Sequence, residues 1–152
     1  MYAVRRWSVR HARALETGYR LFERALAGLH PVFERVGYPR LERPVAAIEK
    51  RVKGFLFDCR MCGQCVLGAT GMSCPMNCPK SLRNGPCGGV RASGHCEVDP
   101  RMMCVWVDAV AGSQSMRAGS AAIRLVQLPV DQRLQGRSSW LAAARGEVGA
   151  PT

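Results

Sequence analysis

The chain has 152 residues, 47% of them hydrophobic, and a formal net charge of +11. That length allows one domain with extensions and excludes a flavin-binding barrel of about 250 residues beside it. The sequence has no apolar run long enough to span a bilayer, no P-loop and no dinucleotide-binding glycine fingerprint, so a cytoplasmic carrier or accessory protein is expected rather than a free-standing catalyst.

The charge is uneven. Residues 1–60 carry net +7, residues 61–110 net +1 and residues 111–152 net +3. The N-terminal 57 residues therefore read as a basic helical arm. Leu15, Tyr19, Phe22, Leu26 and Leu29 recur at 4, 3, 4, 3 and predict one helix over residues 8–30, with Arg13, Glu16, Arg20, Glu23 and Arg24 on its other faces. Gly28 and Pro31 should end or kink it, and Phe33 and Val36 extend the stripe through a short turn. After a break at Gly37-Tyr38-Pro39, a second helix is expected from near Pro44, with Val45, Ile48, Val52 and Phe55 as its apolar stripe. Few aromatics are interleaved with these charges, which weighs against nucleic-acid binding.

All eight cysteines lie in residues 58–110: Cys59, Cys62, Cys65, Cys74, Cys78, Cys87, Cys96 and Cys104. Three chemistries use such a set. Disulfides suit small secreted domains. The opening Arg5-Arg6 is followed by charges that leave no apolar signal segment, so reduced thiols are expected. Structural zinc takes paired ligands, C-x2-C and a second pair. Here the run begins as a triplet, Cys59-x2-Cys62-x2-Cys65, and Cys74 and Cys78 are each followed by proline. A triplet with a later Cys-Pro is the ferredoxin-type pattern for a [4Fe–4S] cluster, although eight residues rather than three stand between Cys65 and Cys74.

Eight thiols complete two cubanes, and the spacing favours that over zinc. One centre would take Cys59, Cys62, Cys65 and one later thiol. The other would take most of Cys74, Cys78, Cys87, Cys96 and Cys104, and the spacing leaves open whether Cys74 or Cys78 joins the triplet. Two oxidised cubanes would lower the net charge to about +7. Gly85, Gly88, Gly89 and Gly94 allow main chain to approach a cluster. His95 is expected as a surface or supporting residue, because the thiols already suffice. No residue is assigned a catalytic role.

Beyond Cys104, Val105–Val110 predicts a helix running towards Met116. Ile123, Leu125, Val126 and Leu128 predict a short apolar segment ending at Pro129. Trp140 is expected to anchor residues 111–152 in a groove on the same chain or on a partner. Residues 146–152 read as frayed. The expected architecture is α plus irregular: helices, then a cysteine-rich cluster domain with little sheet, then a helix and an extended tail.

Between Cys59 and Cys104 stand Cys62-Gly63-Gln64-Cys65, Thr70-Gly71-Met72-Ser73-Cys74-Pro75-Met76-Asn77-Cys78-Pro79-Lys80, Arg83-Asn84-Gly85-Pro86-Cys87-Gly88-Gly89-Val90 and Cys96-Glu97-Val98-Asp99-Pro100. With Val126–Asp131 and Ser138-Ser139-Trp140-Leu141, these segments resemble the methylenetetrahydrofolate reductase C-terminal domain family over roughly residues 40–142. The resemblance implies a small iron–sulfur subunit, with zinc as the alternative metal. Its partner would be a separate TIM-barrel reductase holding the flavin, in tetrahydrofolate one-carbon metabolism. Electrons would pass between that flavin and a carrier such as ferredoxin, for which the basic arm is a complementary surface. The arginine-rich composition suggests a GC-rich bacterial source.

Overall fold

A computed structural model describes residues 2–117 and 119–147; the expectation of fraying therefore lies, for residues 148–152, outside the described residues. Among the described residues the chain is helical and irregular, with one isolated antiparallel bridge, His95 to Met103, as its β pairing. This is the expected architecture.

Beyond His11, the helix breaks of the arm follow glycine and proline. The arm holds α1 (Tyr2–Arg10) and α2 (Ala12–Gly28), separated at His11, where a single helix over 8–30 was expected. The first begins at residue 2 because Ser8 and Val9 have a buried surface to meet: the Ser8 hydroxyl donates to the Leu56 carbonyl at 2.8 Å. α3 (His30–Val36) carries Pro31 in its first turn. Gly37, at φ 92°, makes the break that other side chains resist, and α4 (Tyr38–Phe57) follows.

α4 thus starts six residues before Pro44. Pro39 occupies the first turn, and the helix runs through Pro44. Pro44 withholds the N–H that the Arg40 carbonyl would accept, but both residues are exposed, where water can satisfy that carbonyl.

Three of the four residues of the expected apolar stripe of α4 face outward, Ile48 at 54% exposed, Val52 at 43% and Phe55 at 59%, while Val45 packs beside Leu26 and Trp140; Glu49 and Lys53 are 1% exposed. On α2, Leu15, Tyr19 and Leu26 face inward, but so does Glu16, which accepts from the Arg117 amide at 2.7 Å and pairs with Arg20. Leu29 lies outside. In the basic arm, Arg5 is buried and stands 4.0 Å from Asp108, with Arg6 at 3.8 Å from the same carboxylate. Arg5 therefore belongs to the interior rather than to a docking face. Arg10 and Arg13 remain exposed.

α5 (Val105–Ser115) forms as expected, followed by α6 (Gly119–Ile123) and, after an extended stretch, α7 (Ser139–Ala144). Leu125, Val126 and Leu128 are exposed, and Ile123 packs beside Trp106 and Ala109. Trp140 does anchor the tail in this chain. It packs with Leu26 and Ala144 and meets Phe22 edge to face at 4.8 Å. No helix among the described residues is long and apolar enough to cross a membrane.

Candidate metal centres

α4 ends where the cysteines begin. Asp58 adopts a left-handed conformation, its amide returns to the Gly54 carbonyl at 3.0 Å, and the Asn77 side chain donates to the Phe57 carbonyl at 2.9 Å. The next residues fold back on themselves. Met61 is also left-handed, which brings its N–H to within 3.3 Å of Cys59 Sγ. Gly63, at φ 76°, has no room for a Cβ, because Leu134 packs against it. The tail straps this loop down: the Gly136 amide donates to the Met61 carbonyl at 2.8 Å, and the Asp131 amide to Gln64 Oε1 at 2.8 Å.

The eight thiols divide into two groups of four. Cys59, Cys62, Cys65 and Cys74 line one cavity of about 380 Å³, its mouth included. Cys78, Cys87, Cys96 and Cys104 line another of about 330 Å³. The short 3-10 turn Pro75–Asn77 puts Cys74 on the first cavity and Cys78 on the second. The four non-glycine residues with positive φ among the described residues are Asp58, Met61, Met72 and Ser81. Each lies within three positions of a cysteine. Such backbone costs on the order of 1–3 kcal/mol per residue and is kept where a site demands it. Among the described residues, no three His, Cys, Asp or Glu side chains converge as a single metal ion would require. His95 lines neither cavity, and its Nδ1 faces the Ser93 hydroxyl at 3.1 Å.

The first cavity has charged walls. Lys53 Nζ donates to Glu49 Oε1 and to the Ser139 hydroxyl, both at 2.7 Å, and lies over the rings of Tyr19 (5.3 Å) and Trp140 (5.4 Å). The Ser138 hydroxyl donates to Glu49 Oε2 at 2.6 Å. Burial by itself would raise the Glu49 carboxyl, but Lys53 and the two serine hydroxyls together hold it below the usual range. Burial works against the Lys53 ammonium, yet Cys65, Tyr19 and Glu49 together hold its pKa above the ordinary lysine value. The Tyr19 hydroxyl donates to Cys65 Sγ at 3.4 Å, and burial, joined by the sulfur, raises its pKa.

Cys74 beside it lowers the Cys59 thiol to about 7, helped by the Met61 N–H and Lys53 against burial, and Cys59 in turn holds Cys74 well above the ordinary thiol value, in the same direction as burial. Arg83 is buried on the same cavity and donates from Nη2 to the Gln64 carbonyl at 3.0 Å.

One thiol of the second cavity reaches the surface. Cys87 is exposed, and Glu97 Oε1 accepts from its Sγ at 3.3 Å while pairing with Lys80. Trp106 lines this cavity and donates from its indole N–H to the Leu82 carbonyl at 3.2 Å.

Glu49, Lys53 and Arg83 carry no sequence signal that marks them as site residues. The first two look like a solvated i,i+4 ion pair, and Arg83 is one arginine among many.

No curated protein and no solved structure matches the chain. A family profile described as methylene-tetrahydrofolate reductase C terminal matches residues 38–133, a span that contains all eight cysteines and both cavity walls up to the tail. The chain belongs to the methylene-tetrahydrofolate reductase C-terminal family.

Proposed function

We propose that the chain is the iron–sulfur electron-transfer subunit of a methylenetetrahydrofolate reductase-type flavoprotein complex. One [4Fe–4S] cluster would be held by Cys59, Cys62, Cys65 and Cys74, and a second by Cys78, Cys87, Cys96 and Cys104. The observation that carries this reading is the division of the eight thiols into two sets of four, each around its own cavity. Four cysteine thiolates are what a cubane takes.

The triplet Cys59-x2-Cys62-x2-Cys65 supports a cluster over zinc, which takes its thiols in pairs. When bound, such a cluster supplies one-electron transfer. The chain's own residues hold the thiols in place and donate hydrogen bonds to them, from Met61 N–H to Cys59 and from Tyr19 to Cys65. Flavin would sit on the partner reductase. The exposed apolar stripe Ile48, Val52 and Phe55 of α4 supports association with a protein partner.

The test is metal analysis of the chain purified under exclusion of oxygen. About eight iron and eight sulfide per chain are expected in the wild type, and about four of each in both Cys74→Ala and Cys78→Ala. About two zinc without sulfide would sink the reading. Loss of all iron in either single variant would contradict the division into independent centres.

A further inference from the structure

Among the described residues, the buried cations Arg5 and Lys53 each face a carboxylate. Arg83 does not. It is 8% exposed, and none of the ion pairs involves it. Its Nη2 is fixed by the Gln64 carbonyl at 3.0 Å, while Nε and Nη1 are buried without an acceptor. A buried guanidinium with unmade hydrogen bonds is costly, and folded proteins keep one where a counter-charge completes it. The cavity that Arg83 lines presents four cysteine sulfurs, which stand in for the thiolates of an anionic cluster.

Resting on the iron–sulfur reading, we propose that Arg83 is the cationic partner of the first centre, donating from Nε and Nη1 to its sulfur atoms and raising its reduction potential. The centre takes up one electron and no proton, so its reduced form carries one more negative charge. A fixed cation with N–H donors stabilises that form more than the oxidised one.

Among the described residues, no buried and unpaired cation lines the second cavity. Its Lys80 is paired with Glu97, whose carboxylate lies 3.3 Å from Cys87 Sγ. The first centre therefore has the higher potential, and electrons entering at the exposed second centre run downhill to the buried first one. Arg83 also lies at the junction of the two, since the neighbouring Leu82 carbonyl is held by Trp106 of the second cavity.

The experiment is a potentiometric titration of the anaerobic full-length chain, with dithionite as reductant, read by electron paramagnetic resonance. In Arg83→Gln the higher of the two potentials should fall by at least a tenfold change in the reduced-to-oxidised ratio, about 59 mV for one electron. The lower potential should not move. Arg83→Lys keeps the charge but loses the fork, and should fall between the two. Full iron content in Arg83→Gln with neither potential changed, or with only the lower one changed, overturns the inference and leaves the iron–sulfur reading standing. A wild-type chain with zinc and no sulfide overturns both. If Arg83→Gln loses the first cluster, loaded Arg83→Lys decides by the same criterion. Arg137 is the other arginine on this cavity's lining; if both variants lose the cluster, ¹⁵N-arginine label in an Arg137→Lys background decides: ¹⁵N coupling to the reduced first centre supports the inference, and its absence overturns it.

Discussion

The two cavities hold the same number of thiols in different surroundings. The first lies against helices. Glu49 and Lys53 of α4, Tyr19 of α2 and Ser139 of α7 form its wall or touch its sulfurs. The second is walled mainly by loops, with the start of α5 as its one regular element, and Cys87 is open to solvent. The first cavity also draws on distant parts of the chain, because Glu49 and Ser138 are 89 residues apart. The second is closed by residues 78–106 alone. A centre built from helices resists local opening, whereas one built from loops gives way locally.

The largest test of that contrast is Glu49→Ala. It leaves Lys53 buried without its carboxylate, and should cost about 3–5 kcal/mol in chemical denaturation. The corresponding change at the second cavity, Lys80→Met, removes an exposed pair and should leave the unfolding midpoint where it was. Equal effects from the two substitutions would abolish the distinction.

Gly112→Ala asks whether the halves are mechanically joined. A Cβ at Gly112 of α5 would overlap the Gly71 backbone, three residues before Cys74. Overpacking there should cost about 1–3 kcal/mol and lower iron occupancy in both centres together. Loss from one centre alone would show that α5 does not couple them.

The smallest effect concerns pH. Glu49 has a folded pKa below its ordinary 4.5, so its contribution to stability is complete above that value. It is lost as pH falls through the lowered folded value. Stability of Glu49→Gln should therefore vary less with pH on the acid side than that of the wild type, measured by urea midpoints. The groups facing Glu49 there are Lys53, Ser138 and Ser139. An unchanged acid limb would remove Glu49 from the list of residues that hold the first cavity together.

Much of the local structure was legible in the sequence. Gly28 and Pro31 end α2, Gly37 separates α3 from α4, and α5 runs to Ser115 beside Met116. These are short-range effects of backbone freedom and missing N–H groups, which neighbouring residues fix. The inward or outward sense of α4 was not legible. Ile48, Val52 and Phe55 have the period of a core face, yet they are exposed, while the charged Glu49 and Lys53 turn in. Periodicity gives the angle between two faces of a helix and cannot say which one the rest of the chain will cover.

By itself, the sequence determined the number of thiols, their triplet spacing and the family to which the chain belongs. Only the tertiary structure decided which thiols share a cavity and which charges surround them. Cys74 and Cys78 are separated by three residues, and the 3-10 turn between them sends them to different cavities. Arg83 has a missing counter-charge only because the fold buries it against the first set of thiols. Ligand count is a property of composition and spacing, whereas ligand partition and electrostatic environment are set by burial, and burial depends on contacts made by residues far apart in the chain.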